Sequence, residues 1–325
     1  MQRIIVIGGS MGAFSVLKQV CADLPADLPA AVFIVIHVAK DSRDTFAHAL
    51  NGVSVLPVTN AGDNERIEGG HIYVAPADSH LLITDDTMRL GNGPRENMFR
   101  PAIDALFRSA AISYGPRAIG VVLSGYLNDG ASGIAAIKQC GGTTVVQNPA
   151  DAKADDMPLS AIEATQIDYR GPTDELAAML SQLAREAPGP AAPVPRELRL
   201  EVDIALGRPC DTPIMAQIAD VRALSCPACG GVLSEIRNSR PVRYRCQVGH
   251  GYTAQVLDAQ QEQPADEALR VALRIIEERL TLLHRMARED RDNHRLKSAA
   301  MYEDRVAEYE RSTSVIRQAL LGRDV

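Results

Sequence analysis

The sequence has no apolar run approaching the roughly 20 residues that a membrane-crossing helix requires, so none of its 325 residues offers a helical bilayer anchor. It also lacks the basic start, short apolar stretch and small-residue cleavage site of a secretory leader, because the chain enters Arg3-Ile4-Ile5-Val6-Ile7 at once. A cytoplasmic protein without membrane insertion is expected. Excess positive charge is missing too: 34 Lys and Arg stand against 41 Asp and Glu, a net charge of −7. That sign gives no overall attraction to phosphate backbones, and no basic patch stands out, so nucleic acid is not an expected partner. Cysteine is scarce, six in all. Cys21 and Cys140 stand singly in apolar surroundings, whereas Cys226 and Cys229 form a tight pair; reduced thiols with one metal site fit this better than a disulfide framework.

What is present reads as two or three units, since a chain of this length holds one substantial core and a smaller appendage. The first half alternates short β-branched runs with amphipathic stretches, beginning with a strand over 4–7 and a helix over 14–24. Further buried strands are expected at 32–36, 53–55, 72–74, 118–123 and 143–146. Continuous apolar runs of this kind, separated by helical patterns, indicate a parallel sheet covered on both faces. Residues 81–90 read as a hairpin inserted into this core, 101–113 as a helix with proline in its first turn, and 176–185 as a closing helix. Residues 187–195 are too rich in proline to continue a packed element and form an extended spacer, where a domain boundary is expected. No internal repeat is evident.

The segment Val6-Ile7-Gly8-Gly9-Ser10-Met11-Gly12-Ala13 passes from strand to helix through small residues, which exposes Ser10 at the carboxyl edge of the sheet, where α/β sheets bind ligands. A helix N-terminus there suits either a bound phosphate or a developing oxyanion. A dinucleotide-binding loop is the rival reading. Its spacing is loose, and the second strand ends at His37 instead of the acidic residue that would bind a ribose. A serine nucleophile needs a base, and the base needs an acid to fix its tautomer. His37, directly after the second strand, and Asp129, in the loop after a later buried strand, come to the same edge. A strand-end histidine and an Asp-Gly turn also have ordinary structural explanations, so the residues alone leave both readings open. His48, His71, His80, His284 and His294 read as surface or packing residues.

Several motifs carry a family resemblance. They are Gly9-Ser10-Met11-Gly12; Val35-Ile36-His37; Ile72-Tyr73-Val74-Ala75-Pro76 with His80-Leu81; Arg100-Pro101 with Asp104-Ala105-Leu106-Phe107-Arg108-Ser109; Asn128-Asp129-Gly130-Ala131-Ser132-Gly133; and Met157-Pro158 with Ala161-Ile162. In this order they resemble the catalytic domain of the chemotaxis-receptor methylesterases, the CheB type, over residues 1–185. The resemblance implies a doubly wound domain that hydrolyses glutamate methyl esters on chemoreceptors, in some members with glutamine deamidation. It implies no catalytic cofactor, and it gives Ser10 as nucleophile, His37 as base and Asp129 as orienting acid. Backbone donors near Met11, Gly12 and Tyr126 would hold the oxyanion. Departures lie close to the chemistry: Met11 and Ala13 replace the usual Thr and Gly, Tyr126-Leu127 the usual Met-Gly, and Val38-Ala39 the usual Met-Pro. The receiver domain usual in the family is not expected here, because the chain starts in the first hydrolase strand.

Beyond residue 198, Cys226-Pro227-Ala228-Cys229 and Cys246-Gln247-Val248-Gly249-His250 supply three thiolates and an imidazole at the spacing of a closed tetrahedral zinc site. A disulfide or unrelated free cysteines is the alternative. Four protein ligands leave no open position, which points to structural zinc. Leu269, Leu273, Ile276, Leu280 and Leu283, then Met301, Val306, Tyr309 and Ile316, recur at helical spacing and predict an antiparallel helical hairpin suited to a regulatory partner or self-association. The expected architecture is α/β: a doubly wound, mostly parallel sheet with an inserted hairpin over 1–186, a proline-rich linker at 187–198, a connecting segment with a small zinc-ribbon-like module at 199–253, and an α-helical region at 254–325. A catalytically silent scaffold of the same fold, or a nucleotide-binding protein, are the alternatives to a hydrolase.

Overall fold

The structure, a computed structural model, describes residues 3–37 and 45–321. Strand β1 (Arg3–Gly9), helix α1 (Ala13–Asp23), β2 (Ala30–Ile36), α2 (Thr45–Asn51), β3 (Val58–Asn60) and β4 (Ile72–Val74) precede a hairpin of β5 (His80–Thr84) and β6 (Thr87–Gly91). Then follow α3 (Ile103–Tyr114), β7 (Ala118–Val122), α4 (Ala131–Gln139), β8 (Thr143–Gln147), α5 (Asp156–Ala164), β9 (Tyr169–Gly171) and α6 (Thr173–Arg185). The seven-stranded sheet has the order β3-β4-β2-β1-β7-β8-β9, and its pairs are parallel. The strands read as unbroken apolar runs because both faces are covered: Ile5 and Ile7 face one buried cluster with α1 and α6, while Ile4 and Val6 face another with α3, α4 and α5. From β1 the chain goes first to β2 on one side and later to β7 on the other. The carboxyl ends of β1, β2 and β7 therefore meet at a topological switch point.

Three local expectations need correction. Residues 53–55 are not a strand, because the N–H groups of Val53 and Ser54 turn back onto the Leu50 carbonyl at 3.1 and 3.0 Å and close α2. The edge strand starts at Val58 instead. Pro101 stands ahead of α3, since Ala102 keeps an extended backbone (φ −104°, ψ 140°) with its N–H on His80 Nδ1 at 3.3 Å. Helix α6 begins at Thr173, ahead of the expected 176, with Asp174 and Glu175 in its first turn favouring the positive end of the helix dipole.

The proline-rich stretch does not end the compact unit, which runs on to Leu257. Val194 packs on the second core cluster, and so does Leu198 of α7 (Arg196–Ala205). Helix α8 (Thr212–Ile218) then leads into an antiparallel sheet of β10 (Ala219–Ser225), β11 (Val232–Ile236), β12 (Arg243–Cys246) and β13 (Gly251–Thr253). Residues from Asp258 onward form a second unit. It consists of most of α9 (Ala254–Asp292), which starts ahead of the expected 265, and α10 (Leu296–Leu321). Ion pairs Glu277–Arg317 and Arg291–Glu303, with a His284–Glu310 contact between them, match residues in reverse order along the two helices, the antiparallel hairpin expected from their apolar spacing.

A buried ion network ties β12 to the α/β core. Arg245 lies 3.1 Å from both Glu96 and Glu201, Arg243 lies 2.6 Å from Glu201, and Arg108 of α3 pairs with Glu96. Burial opposes ionisation of Glu201, but the charges of Arg243, Arg108 and Arg245 outweigh it and hold this carboxyl well below its usual range. Removing one partner from such a network leaves uncompensated buried charge. Glu201→Ala is therefore expected to destabilise the protein by about 3–5 kcal/mol, measured as a lowered urea midpoint; a loss within the ±0.5 kcal/mol typical of surface changes would contradict the network's importance.

Candidate active site

Ser10 stands between the last residue of β1 and the first turn of α1. Its N–H donates to the Ser124 carbonyl at 2.9 Å, and Ser124 Oγ donates to the Met11 carbonyl at 2.7 Å while accepting from Ala154 N–H at 2.9 Å. These bonds fix the turn from a loop that follows β7. Gly12 has φ 84°, a left-handed backbone, and a Cβ there would lie 2.6 Å from Lys153 Cβ and 2.8 Å from Ser124 Oγ. The turn thus demands glycine at this position. Met11 is 52% exposed, so its side chain leaves the space at the start of α1 open.

His37 follows β2 and is tied to the serine turn by its N–H, which donates to the Gly9 carbonyl at 3.2 Å. Its Nε2 lies 2.8 Å from Asp129 Oδ2, with both side chains only 3% exposed. The ring stacks on Phe99, centroids 3.5 Å apart and planes 6° from parallel. Nδ1 is buried and has no hydrogen-bond partner among the described residues. With Nε2 committed to the carboxylate, Nδ1 is the nitrogen open to exchange a proton with a group in front of the ring.

Asp129 accepts from donors on every side. Ile103 N–H reaches Oδ2 at 2.7 Å, and Asn97 Nδ2, Gly130 N–H and Asp104 N–H reach Oδ1 at 3.0, 3.1 and 3.3 Å. Two of these donors belong to the first turn of α3, whose dipole also favours a negative charge. Burial works against ionisation, but the bonds from His37, Asn97 and Ile103 prevail and hold Asp129 below the ordinary carboxylate range.

Asp104 shares this pocket, accepting from Gly133 N–H at 2.6 Å, Gly130 N–H at 3.0 Å and Asn97 Nδ2 at 3.1 Å. Burial, and next the charge of Asp129, push it from 3.8 up to about 7. The unfolded chain releases this proton near 3.8 and the folded chain near 7, so the group's contribution to stability is complete below 3.8 and is lost as pH rises to 7. Asp104→Asn is expected to flatten stability against pH across that window, read from urea midpoints at its two ends. An unchanged slope would refute the assignment.

Ser10, His37 and Asp129 are thus brought to one sheet edge, as the sequence reading expects. Tyr126 lies in the adjoining loop with its side chain 60% exposed, while Leu127 N–H is anchored on Asp156 Oδ2 at 3.2 Å. Val38 and Ala39 lie outside the described residues. Sequence reasoning did not single out Asn97, Phe99 or Ser124 for this site. The available signal for the first two was an asparagine followed closely by an aromatic, just ahead of the Arg100-Pro101 element. His80 is a packing residue, with Nε2 on the Pro94 carbonyl at 3.0 Å.

A second cluster sits on the antiparallel sheet. Cys226 and Cys229 lie on the turn after β10, Cys246 ends β12, and His250 precedes β13. Each pair forms a tight knuckle: Gly230 N–H bonds the Cys226 carbonyl at 2.8 Å, and Gly249 N–H bonds the Cys246 carbonyl at 2.9 Å. The Cys229 and Cys246 sulfurs are 3.7 Å apart, and His250 Nδ1 lies 3.5 Å from Cys246 Sγ and 3.8 Å from Cys226 Sγ. Tetrahedral bonds of about 2.3 Å to sulfur and 2.0 Å to nitrogen place ligand atoms roughly 3.5–3.8 Å apart. The four residues, whose ligand atoms all lie within 4.8 Å of one another, could hold one metal ion.

Residues 5–180 match the family model described as CheB methylesterase. The chain belongs to the CheB methylesterase family. The crystal structure of the Thermotoga maritima CheB methylesterase catalytic domain is similar over 56% of this chain and 99% of its own, at 31% identity and a TM-score of 0.55. A protein of Leptospira interrogans is 38% identical over 180 residues, 55% of this chain and 93% of that one. The Geobacter metallireducens protein-glutamate methylesterase/protein-glutamine glutaminase 4 is 37% identical over 186 residues, and the match spans 54% of that relative. The CheB methylesterase match ends ahead of α7, so the Cys/His module and the helical hairpin lie beyond the family model.

Proposed function

We propose that this chain is a serine hydrolase that removes methyl esters from glutamate side chains of chemoreceptor-type proteins, and that deamidates glutamine by the same route. The observation carrying the reading is the 2.8 Å bond between His37 Nε2 and the buried Asp129, which leaves Nδ1 without a partner in a loop at the same sheet edge as Ser10. In the reaction His37 Nδ1 takes the Ser10 hydroxyl proton as Oγ attacks the ester carbonyl, and Asp129 steadies the imidazolium. The N–H groups of Met11 and Gly12 at the start of α1, with that of Tyr126 across the turn, would hold the oxyanion. Collapse expels the methoxy group, which leaves as methanol with the proton from His37. Water then gives a proton to His37 and attacks the acyl carbon, and the second collapse returns Ser10 and a glutamate carboxylate.

The loop reading as a nucleotide site is disfavoured by the same geometry, because His37 is committed to Asp129 where a ribose-binding acid would be needed. The Cys/His set is assigned a structural zinc ion, which uses all its ligands on protein and takes no part in the ester chemistry. The partner is a methylated chemoreceptor or related signalling protein, met in the cytoplasm. The test is methanol release from a methylated chemoreceptor cytoplasmic fragment, run beside capture of Ser10 by an active-site phosphonate. Release with capture is the expected result. Capture without release would mean a different ester, and neither would leave a folded scaffold without hydrolase activity.

A further inference from the structure

The segment 95–99 lies under the candidate active site and touches it twice, through Asn97 on Asp129 and Phe99 on His37. The core grips it through Arg108 on Glu96 and through Asp104 and Asp129 on Asn97. Asn97 and Met98 both have left-handed backbones, φ 49° and 73°. Asparagine tolerates that conformation; methionine adopts it only where the surroundings dictate it. The tight turn itself dictates it, because Glu96 N–H donates to the Phe99 carbonyl at 3.1 Å and Phe99 N–H to the Glu96 carbonyl at 2.9 Å around just these two residues; β13 of the Cys/His module holds the turn in place. Asn97 N–H donates to the Gly251 carbonyl at 2.8 Å, Thr253 N–H donates to Asn97 Oδ1 at 3.0 Å, and Gly251 N–H donates to the Arg95 carbonyl at 3.2 Å. Thr253 Oγ1 also donates to Asn128 Oδ1 at 2.6 Å, gripping the residue next to Asp129. Met98 and Leu127 pack on the apolar cluster that contains Cys226, Cys246 and Tyr252.

We propose that Asn97 is the positioning residue for the Asp129–His37 pair, and that β13 holds it there, so that a metal ion on Cys226, Cys229, Cys246 and His250 governs the reactivity of Ser10 from outside the reaction. The proposal rests on the hydrolase reading and adds its regulation. The path is short and continuous. His250 is the residue before Gly251, and its carbonyl accepts the N–H of Cys246 at 3.0 Å, so the ligand knuckle sets the register of β13 against β12. With its backbone N–H and side-chain oxygen held by β13, Asn97 spreads its amide between two carboxylates, Asp129 Oδ1 at 3.0 Å and Asp104 Oδ2 at 3.1 Å. Every polar group of that side chain is used, and each partner has one place to be. When the metal leaves, the knuckle loses what closes it, β13 loses its register, and Asn97 loses the two β13 bonds that fix its backbone N–H and its side-chain oxygen. Asp129 then loses a donor and His37 its stacked cover.

The test uses the full chain loaded with zinc. Its first readout is the downfield proton resonance of the imidazole N–H bonded to Asp129, assigned by its absence in His37→Ala. Removal of zinc by a chelator is expected to broaden or shift this signal and slow phosphonate capture of Ser10, with both restored by adding Zn(II). Asn97→Ala, with zinc retained, is expected to move the same signal and lower kcat for methanol release on the order of 10²-fold at unchanged KM, the effect of a misplaced catalytic group. An Asn97→Ser variant, which keeps a short donor, should recover part of the loss; if Asn97→Ala does not fold, chelation of the wild-type chain tests the same link. The proposal is overturned if the resonance and the capture rate are unchanged in the metal-free chain, or if Asn97→Ala alters only KM. Because the resonance does not depend on turnover, it reports on the positioning even if no ester is hydrolysed, which separates this proposal from the hydrolase reading.

Discussion

Ser10→Ala is expected to lower the rate of methanol release by roughly 10⁴ to 10⁶-fold, and His37→Ala to do the same, if the proposed triad operates. The two changes remove different halves of one act. Without Oγ there is no acyl-enzyme; without the imidazole the hydroxyl keeps its proton and is a poor nucleophile at neutral pH. Because the groups act as a unit, the double variant should be no slower than either single variant. Ser10→Ala should leave the fold undisturbed, since Ser10 is held through its backbone N–H on the Ser124 carbonyl, whereas His37→Ala removes a buried ring bonded to Asp129 and stacked on Phe99 and should also lower the melting temperature. Single-turnover release at a temperature where both variants are folded is the measurement. A loss below tenfold in Ser10→Ala would mean that another group carries the nucleophile.

The second large effect lies at the Cys/His cluster. The chain should carry one zinc per protein, and Cys246→Ala should lose it along with the folded sheet β10–β13. The reason is size: the cluster's own core is Cys226, Leu233, Cys246, Tyr252, Val256 and Leu257, so two of its members are ligands. So small a core does not fold by burial alone, and bound zinc contributes on the order of 10 kcal/mol to such modules. The comparison is with Cys21→Ala and Cys140→Ala, whose thiols are buried within the α/β core clusters and which should keep their zinc. Metal analysis and tryptic nicking after residue 225 read the outcome. Full zinc content in Cys246→Ala would show that this cysteine is not a ligand.

The sheet edge was legible because its three strands announce themselves as apolar runs that each end on a polar residue, and because parallel connections bring those ends together. Ser10, His37 and Asp129 could be placed at one edge without coordinates for that reason, while their roles came from the family resemblance. The tetrad of Cys226, Cys229, Cys246 and His250 was legible through spacing alone. Asn97 was not, because its importance comes from partners 32 residues away at Asp129 and 156 residues away at Thr253, and no local period encodes either contact. The burial of two arginines is hidden from sequence for a related cause. Arg243 and Arg245 sit in a ribbon whose charges look solvent-facing in sequence, yet α7 supplies Glu201 beneath them. The stretch 187–195 likewise looks like a spacer by composition, and its Val194 packs on the core because α7 must return there.

The hydrogen bond between Asn97 and Thr253 also sets a timetable for synthesis. The sheet can close once β9 has been made, but the segment that steadies Asp129 must wait for Thr253, 156 residues after Asn97. From Gly171, which ends β9, to Thr253 is 82 residues (253 − 171), so at translation rates of about 5–20 residues per second the interval is roughly 4–16 s. During it the nascent chain carries the closed sheet while Asn97 still lacks its Thr253 partner.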